Sequence, residues 1–236
     1  PAVAPPAPQK NVQVKDAVAL VTGSNRGVGL GFVNVLLERG AKRVYATVRN
    51  PKHLAEVKAL DAKRVVPLEL DVTNDARRRA AADAAQDVTI LINNAAYPGS
   101  AKDEERRFLS AGNLDDIKRA MDVNCWSPAE LARLFIPIIL GNSTKERPGA
   151  VLNILSGGAL FCVTEFASYS TSKAAEMMMT SCLRAETDRQ PVLVASVFTG
   201  SVKTRTTPVG ATMAFTPEEH AREVFDAIAA GQAFIY

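Results

Sequence analysis

Two side chains that could exchange a proton lie one helical turn apart in this sequence. Tyr169 and Lys173 are four residues apart in a segment of helical period, so they share one face of a helix. An ammonium beside a phenol favours the phenolate and lowers the pKa of the phenol toward the working pH. The pair therefore predicts a tyrosine that acts as a general acid or base. The alternative is a chance pair on a helix surface.

Two polar residues elsewhere in the chain could assist this tyrosine. Ser156 ends a run of strand character and precedes Gly157 and Gly158, so its hydroxyl would lie at the carboxyl end of a strand and could donate to a substrate oxygen. Asn124 lies in a strongly apolar helical segment, where an amide has poor helix propensity and needs partners when buried. The alternatives are a plain Ser-Gly loop and a structural hydrogen bond, respectively.

A glycine-rich turn follows the first apolar run of the chain. The run Val18–Thr22 leads into Gly23-Ser24-Asn25-Arg26-Gly27-Val28-Gly29, and an amphipathic segment follows. Glycines permit positive φ and close approach of the backbone to a pyrophosphate, whose charge a helix N-terminus favours. A nucleotide phosphate site and a simple turn are the two interpretations. Asp71 and the run Asn93–Ala96 end the third and fourth strands, where chain reversals beside a nucleotide would lie.

These groups need a parallel sheet to position them. Short apolar runs rich in β-branched residues alternate with longer segments of helical period, which indicates helices on both faces of a parallel sheet. We therefore predict an α/β fold with a doubly wound, seven-stranded parallel sheet, the Rossmann fold, as a single domain over residues 15–236. Residues 1–14 form a Pro- and Ala-rich N-terminal arm.

The predicted strands are Val18–Thr22, Arg43–Val48, Val65–Leu70, Thr89–Asn93, Val151–Leu155, Val192–Phe198 and Ala233–Tyr236. The predicted helices lie near Gly29–Arg39, Lys52–Leu60, Asp75–Ala85, Leu114–Leu140, Ser168–Glu186 and Pro217–Ala230. Asn113 is expected to cap the fourth helix with Asp116 as its third residue, and Pro137 to kink or stop it. Thr216 is expected to cap the last helix, with Glu219 completing a capping box.

Composition excludes several classes of function. The 236 residues, 47% of them hydrophobic, suffice for one α/β domain, and a formal net charge of +3 gives no reason to expect nucleic acid or a membrane as a partner. The longest apolar run, Leu134–Leu140, is too short to span a bilayer. Three cysteines and two histidines have no metal-like spacing, so we expect no metal site and no disulfide framework. The opening residues do not resemble a secretory signal, and we expect a cytoplasmic location.

From Lys15 to its end, the chain resembles the short-chain dehydrogenase/reductase family. The family's Y-x-x-x-K is matched by Tyr169 and Lys173, its serine thirteen residues before the tyrosine by Ser156, and its helix-borne asparagine by Asn124. Its T-G-x-x-x-G-x-G is matched by Thr22, Gly23, Gly27 and Gly29. The chain departs from two other motifs of the family. Where the family has N-N-A-G, this chain ends the motif in Ala96, and where the family has P-G-x-V-x-T, this chain begins the motif with Thr199.

The resemblance implies a role for each matched residue. Tyr169 would exchange the proton with a substrate oxygen that Ser156 polarises, and Asn124 would keep a water in line with Lys173 as a proton relay. Lys173 would also hold the nicotinamide ribose. The nucleotide site would be lined by Gly23, Ser24, Asn25, Arg26, Gly27, Val28, Gly29, Arg49, Asp71, Val72, Asn94, Ala95, Tyr169, Lys173, Gly200, Val202 and Thr204.

The residues after the second strand predict the cofactor. An NAD site normally carries an acidic side chain about 20 residues after the glycine turn, on the ribose 2′-hydroxyl. The segment Ala41–Asn50 contains none, and Val48 stands where the family's NAD-specific members carry aspartate. Arg49 and Arg26 could instead bind a 2′-phosphate through charge-assisted hydrogen bonds. We therefore predict NADP(H), the alternative being that both arginines are solvated loop residues.

The predicted function is an NADP(H)-dependent alcohol dehydrogenase or carbonyl reductase, in which the cofactor carries the hydride. The alternative is a non-catalytic NADP(H)-binding redox sensor or scaffold of the same fold, which would have no need of the full set Asn124, Ser156, Tyr169 and Lys173. An epimerase or dehydratase relative is disfavoured by the glycine spacing and the short length.

Two further expectations concern the substrate and the assembly. The segments Leu160–Phe166 and Ser201–Phe215 are rich in apolar side chains and predict a largely apolar carbonyl or alcohol substrate, unless those side chains only pack a lid. Phe161, Val163, Phe166, Met213 and Phe215 are the apolar candidates, with Lys203 and Arg205 nearby. The resemblance implies a homodimer or homotetramer formed through the helices at Leu114–Leu140 and Ser168–Glu186, the latter containing Met177–Met179.

Overall fold

A parallel sheet of seven strands forms the centre of the molecule. The computed structural model describes residues 9–203 and 215–236. Within them the strands are β1 (Val18–Val21), β2 (Arg43–Val48), β3 (Val65–Glu69), β4 (Ile90–Asn93), β5 (Gly149–Ser156), β6 (Val192–Thr199) and β7 (Phe234–Ile235). Their order in the sheet is β3-β2-β1-β4-β5-β6-β7, and every neighbouring pair is parallel. The predicted doubly wound α/β fold is confirmed, and each predicted strand overlaps an observed one.

Helices connect the strands and cover both faces of the sheet. They are α1 (Gly27–Glu38), α2 (Leu54–Lys58), α3 (Asp75–Ala84), α4 (Asp115–Met121), α5 (Ser127–Gly141), α6 (Ala167–Glu186) and α7 (Pro217–Ala229). Short 3₁₀ turns occur at Pro51–His53, Glu104–Arg106, Gly157–Ala159 and Thr164–Phe166. The sequence did not predict the last three of these turns, since a single turn leaves no periodic signal.

The strands divide the core into two apolar layers. Along β1, Ala19 and Val21 join the layer that holds α1 and α7, whereas Val18 and Leu20 join the layer that holds α3 and α5. This alternation follows from the two-residue period of a strand. Because β1 lies between β2 and β4, the direction of winding reverses there, and side chains at the carboxyl ends of β1 and β4 border a crevice.

The predicted fourth helix is observed as one helical stretch of 27 residues, Asp115–Gly141, with a change of winding inside it. A π-helical turn, Asp122–Trp126, joins α4 to α5. The helix continues through Pro137 to Gly141, so of the two effects expected of this proline, a kink or a stop, the stop is wrong. Asn113 accepts a hydrogen bond from the backbone N–H of Asp115 at 2.9 Å.

Two other helix expectations have different outcomes. Asp116 does not take part in capping the fourth helix. Its carboxylate instead accepts hydrogen bonds from the hydroxyls of Tyr97 and Ser168, each at 2.6 Å. At the last helix the capping box predicted for Thr216 and Glu219 is confirmed, with each side chain bonded to the other's backbone N–H.

The stretch Asp115–Gly141 is also the one helix, among the described residues, that is long and apolar enough to cross a membrane. The apolar run noted in the sequence is thus part of a longer apolar helix. Its residues Leu131, Phe135 and Ile139 are buried against the sheet, as in the core helix of a globular domain. Its composition is therefore accounted for by packing.

Part of the segment assigned to the N-terminal arm packs against the domain. Val12 and Val14 are buried in the layer that holds α7, and the backbone N–H of Val12 donates to the carbonyl of Ile228 at 3.0 Å. Gln9 and Asn11 donate from their side chains to carbonyls at the end of α7. Residues 1–8 of the arm lie outside the described residues.

Candidate active site

One large cavity, of about 1380 Å³, opens at the carboxyl ends of the central strands. It brings together most of the residues that the sequence predicted for the site. Those that line it are Gly23, Asn25, Arg26, Gly27, Val28, Arg49, Asp71, Val72, Asn94, Ala95, Ser156, Tyr169, Lys173, Gly200 and Val202. Ser24, Gly29 and Asn124 do not line it, and Thr204 lies outside the described residues.

The glycine turn joins β1 to the N-terminus of α1 and forms one wall of the cavity. Gly23 has φ +69°, a conformation that side chains with a Cβ rarely adopt. Gly29 is in the first turns of α1, where a Cβ would lie 2.2 Å from the carbonyl oxygen of Gly23 and 2.5 Å from the side-chain nitrogen of Asn94. The turn and the helix therefore meet at a distance that only glycine permits, which leaves the helix N-terminus facing the cavity.

The end of β4 braces this turn. The Asn94 side chain donates to the carbonyls of Thr22 and Gly23, at 2.9 and 3.3 Å. The Thr22 hydroxyl accepts from the backbone N–H groups of Asn94 and Ala95, both at 2.9 Å. The sequence matched Thr22 to the family motif but gave it no place in the site. Thr22 lies where the ends of the neighbouring strands β1 and β4 meet, and its hydroxyl bonds the two together.

Ser24 has a structural position rather than a place in the cavity wall. It is buried, its hydroxyl donates to the carbonyl of Val21 at 2.7 Å, and the same hydroxyl accepts from the backbone N–H of Thr47 at 3.1 Å. The side chain therefore ties the glycine turn to β2. The family resemblance placed Ser24 on the nucleotide, and the geometry here directs its side chain the other way.

The proposed acid/base group lies on α6, opposite the glycine turn. Tyr169 is in the first turn of α6, and Lys173 follows one turn later with its ammonium 5.9 Å from the centre of the Tyr169 ring. Ser156 ends β5 on the same cavity, and its hydroxyl accepts from the backbone N–H of Gly158 at 3.2 Å. A phenol, an ammonium and a hydroxyl are thereby held at one end of the cavity.

Lys173 has a partner that the sequence analysis missed. Its ammonium donates to the carbonyl of Ile154 at 2.8 Å and to the carboxylate of Glu176 at 2.6 Å, and both side chains of this ion pair are buried. Burial disfavours the ammonium, but the attraction of Glu176 and Tyr169 outweighs it and raises the pKa of Lys173. The signal was present in the sequence, since Glu176 follows Lys173 at a spacing that places the two on one helix face.

Asn124 contacts the backbone beyond β4 from inside the π-helical turn. Its side chain accepts from the N–H of Tyr97 at 2.7 Å and donates to the Tyr97 carbonyl at 2.8 Å and to the Ser172 hydroxyl at 2.9 Å. Ser172 in turn donates to the carbonyl of Tyr169 at 2.7 Å. These contacts fit the alternative interpretation of Asn124, in which it makes structural hydrogen bonds. They also connect the asparagine to the segment that carries Tyr169.

The far end of the cavity carries positive charge. Arg26 and Arg49 are exposed there, and among the described residues neither guanidinium has a carboxylate within ion-pair distance. Lys52 and His53, which the sequence analysis did not single out, line the same region. Their signal was a cluster of cationic side chains immediately after β2. This end of the cavity suits a phosphate group.

Carboxylates also line the cavity, and two of them are engaged with neighbours. Asp71 accepts from the backbone N–H and the hydroxyl of Thr73, at 3.0 and 2.8 Å. Glu218 accepts from the side chain of Asn34 at 2.9 Å. Further lining residues that the sequence did not predict include Asn50, Thr73, Pro98, Arg119, Asp122, Val123 and Pro217.

The expected substrate segments have only partly described positions. Phe161, Val163 and Phe166 do not line the cavity, and Leu160, Phe161 and Phe166 are exposed. Ser201, Val202 and Lys203 do line it, whereas Arg205 and Met213 lie outside the described residues. Phe215 is exposed and its strand-like pairing with Val202 holds the two ends of this segment together.

Comparison with known protein families gives a match over most of the chain. The family model described as short chain dehydrogenase matches residues 17–212. The chain belongs to the short chain dehydrogenase family. It is 28% identical over 238 residues to the 1-deoxy-11-beta-hydroxypentalenate dehydrogenase of Streptomyces avermitilis, covering 95% of this chain and 86% of that protein. It is 30% identical to the 17-beta-hydroxysteroid dehydrogenase type 2 of Homo sapiens, and that match covers 83% of this chain but only 50% of that protein.

Solved structures of other proteins share the fold. The short chain dehydrogenase from Burkholderia cenocepacia J2315, in complex with NADP, has a TM-score of 0.83 and 35% identity, covering 95% of this chain and 89% of that one. The NADPH-bound carbonyl reductase from chicken fatty liver has a TM-score of 0.80, with coverages of 99% and 100%. Its identity is 24%, so this second likeness concerns the fold alone.

Proposed function

We propose that this short chain dehydrogenase is an NADP(H)-dependent oxidoreductase that moves a hydride between the nicotinamide and the carbonyl or alcohol carbon of a largely apolar small molecule. One observation carries the proposal. Tyr169, Ser156 and Lys173 line one end of the same cavity whose other wall is the glycine turn at the N-terminus of α1. A proton-exchanging group and a phosphate-binding turn are thus joined by one continuous space.

The residues at the tyrosine end suit acid/base work on an oxygen atom. The nicotinamide supplies the hydride when it is bound. In the reducing direction the Tyr169 hydroxyl gives its proton to the substrate oxygen, and in the oxidising direction the phenolate takes that proton back. The Ser156 hydroxyl donates a hydrogen bond to the same oxygen and orients it. The Lys173 ammonium, fixed by the Ile154 carbonyl, favours the ionised tyrosine.

The glycine turn and the cationic end of the cavity fit NADP(H). Close contact between Gly23 and Gly29 leaves the backbone of the turn exposed to a phosphate. Among the described residues, neither Arg26 nor Arg49 has a carboxylate within ion-pair distance. Val48, the last residue of β2, is a buried apolar side chain that cannot accept from a ribose 2′-hydroxyl. The complex of the Burkholderia cenocepacia relative with NADP supports the same cofactor.

An apolar substrate is supported by the relatives rather than by the cavity wall. Two relatives are named as dehydrogenases of a hydroxypentalenate and a hydroxysteroid. Exposed Leu160, Phe161 and Phe166 follow Ser156 on the chain and could cover an apolar compound. We propose a ketone, aldehyde or secondary alcohol of this character, and a cytoplasmic enzyme.

The assembly proposed is a homodimer or homotetramer formed through α6 and the stretch Asp115–Gly141. Trp126 and Met178, on these two segments, are exposed apolar side chains of the kind that subunit interfaces cover. Light scattering at micromolar concentration should give a mass at least twice that of the chain. A monomer under those conditions would contradict the proposed assembly without affecting the proposed chemistry.

A panel assay tests the function. Apolar aromatic and alicyclic ketones and aldehydes are offered with NADPH, and strongly charged carbonyl compounds of similar size serve as the comparison. NADPH binding is measured in parallel by its fluorescence. We expect turnover of at least one apolar carbonyl compound. Nucleotide binding without turnover of any compound would favour the sensor or scaffold, and activity confined to charged compounds would contradict the proposed substrate class.

A further inference from the structure

The ion pair between Lys173 and Glu176 is a feature that the proposed chemistry does not use. Both side chains are almost fully buried, at 3% and 1% exposure, and the ammonium nitrogen lies 2.6 Å from one carboxylate oxygen. Among the described residues the other oxygen of Glu176 has no hydrogen-bond partner. A buried carboxylate with one unsatisfied oxygen carries a desolvation cost that protonation would relieve.

The surroundings of Glu176 leave few groups that could compensate its charge. Lys173 faces it from the same helix, and Cys125 faces it from the π-helical turn. Tyr169 lies beside the Lys173 ammonium, whose nitrogen is 5.9 Å from the centre of the Tyr169 ring. β5 presents the backbone carbonyl of Ile154, which the ammonium already occupies. Burial raises the pKa of the Cys125 thiol to about 11, so this group stays neutral across the working range of pH. The net charge beside Tyr169 therefore depends on Lys173 and Glu176.

We propose that Glu176 is a positioning residue that sets the net charge beside Tyr169 by gaining and losing a proton. When Glu176 is ionised, its charge balances the Lys173 ammonium. When it is protonated, the ammonium is unbalanced and favours the phenolate of Tyr169. Burial, opposed by the attraction of Lys173, raises the pKa of Glu176 to about 7, so the change falls within the working range. The effect on turnover rests on the proposed function, whereas the protonation of Glu176 does not.

The first test follows the carboxyl group itself, without substrate or nucleotide. Infrared difference spectra recorded as the pH is raised from 4 to 9 should show a carboxylic-acid C=O band that persists above pH 6, after ordinary carboxyl groups have ionised. The band should be missing from Glu176→Gln and from Glu176→Leu, and present in Glu186→Gln, whose residue is exposed at the end of the same helix. A wild-type protein with no such band would overturn the proposal even if neither variant folds.

The second test measures the consequence for turnover. Oxidation of an alcohol needs the ionised tyrosine, so its rate rises with pH to a plateau. Both Glu176 variants remove the balancing charge, and the pH of half-maximal kcat should fall by about one unit relative to wild type. Glu186→Gln should leave it in place. An unchanged midpoint in both Glu176 variants, or a shift in the Leu variant alone, would overturn the proposal in favour of a packing role. Absence of both alcohol oxidation and carbonyl reduction by wild type would instead refute the proposed function and leave the infrared result standing.

Discussion

At the scale of single residues, the two ends of the cavity carry different chemistry. One end presents the hydroxyl of Ser156, the phenol of Tyr169 and the ammonium of Lys173, which suit proton exchange with a neutral oxygen. The other end presents the guanidinium groups of Arg26 and Arg49 to the solvent. A long ligand with an anionic end and a reactive end would satisfy both, which is the physical basis of the proposed NADP(H) site.

The cofactor preference depends on those two arginines. The variant Arg26→Ala/Arg49→Ala should lose most of the preference for NADPH over NADH, because paired charge-assisted hydrogen bonds to a 2′-phosphate would be removed. Hydrogen bonds to charged groups contribute about 1.5–3 kcal/mol each, so kcat/KM with NADPH should fall by at least about tenfold, with a small change for NADH. The measurement is kcat/KM with both cofactors.

A matched control separates this effect from a loss of net charge. The variant Arg79→Ala/Arg133→Ala removes the same charge from exposed positions on α3 and α5 that pair with Asp75 and Glu130. It should keep the wild-type preference. Equal or better use of NADH by the wild-type protein would refute the assignment of the arginines.

At the scale of elements, the position of α6 depends on side chains that reach it from the long helix. Asp116 in α4 accepts from Ser168, the residue before Tyr169, and Asn124 in the π-helical turn bridges Tyr97 and Ser172. The π-helical turn follows α4 directly, so both contacts are made from one stretch of backbone. The tyrosine is therefore held by contacts to its neighbours in the chain.

Replacement of Asn124 by alanine should damage turnover and stability together. It leaves the partly buried N–H and carbonyl of Tyr97 without their partners, at a cost of up to about 1–3 kcal/mol for each unsatisfied group, and it removes a contact of Ser172. We expect a lower Tm and a fall in kcat. The measurements are thermal unfolding and turnover well below the Tm.

Asn142 provides the control at the other end of the same helix. Its side chain donates to the carbonyls of Gln86 and Ile138, far along the helix from the cavity. Asn142→Ala should lower the Tm and leave kcat unchanged. If Asn124→Ala kept wild-type kcat while losing stability, its contacts would hold the fold and not the site.

Most of the strands and helices were predictable from the sequence, and the exceptions have physical causes. The strands were predicted because buried parallel strands are continuous β-branched runs. The π-helical turn was not, since one extra residue in a turn does not change the apolar pattern of a long helix. The direction of the Ser24 side chain was missed because its partner, Thr47, is 23 residues away in β2. The bond between Lys173 and Glu176 joins residues three apart on one helix, so their spacing in the sequence already indicates it.

At the scale of the whole molecule, one buried histidine links stability to pH. His220 lies between α7 and the sheet, where its ring contacts Phe32 and one nitrogen is 3.2 Å from the hydroxyl of Thr199. Burial lowers the pKa of His220 to about 4, from an ordinary value of 6.5. Between pH 6.5 and 4, His220 is therefore protonated in the unfolded chain but stays neutral in the folded protein. The contribution of His220 is complete above pH 6.5 and is lost as the pH falls toward 4.

This loss can be measured against the other histidine of the chain. Between pH 6.5 and 4 the free energy of unfolding of wild type should fall by on the order of 2–3 kcal/mol more than that of His220→Gln. His53→Gln should follow wild type, because His53 is a partly exposed residue paired with Glu56. Denaturant unfolding at a series of pH values gives the comparison. Parallel curves for wild type and His220→Gln would contradict the assignment.

The central claim is that Tyr169 supports hydride transfer from NADPH to a carbonyl carbon, and one measurement tests it most directly. NADPH carrying deuterium at both hydrogen positions of its hydride-donating carbon is incubated with the best carbonyl substrate and with wild type or Tyr169→Phe, and the product is analysed by mass spectrometry. With wild type, deuterium should appear on the former carbonyl carbon. With Tyr169→Phe, nucleotide binding should persist while the transfer slows by about 100-fold to 10,000-fold. Transfer at the wild-type rate by Tyr169→Phe, or a reduced product without deuterium, would contradict the account.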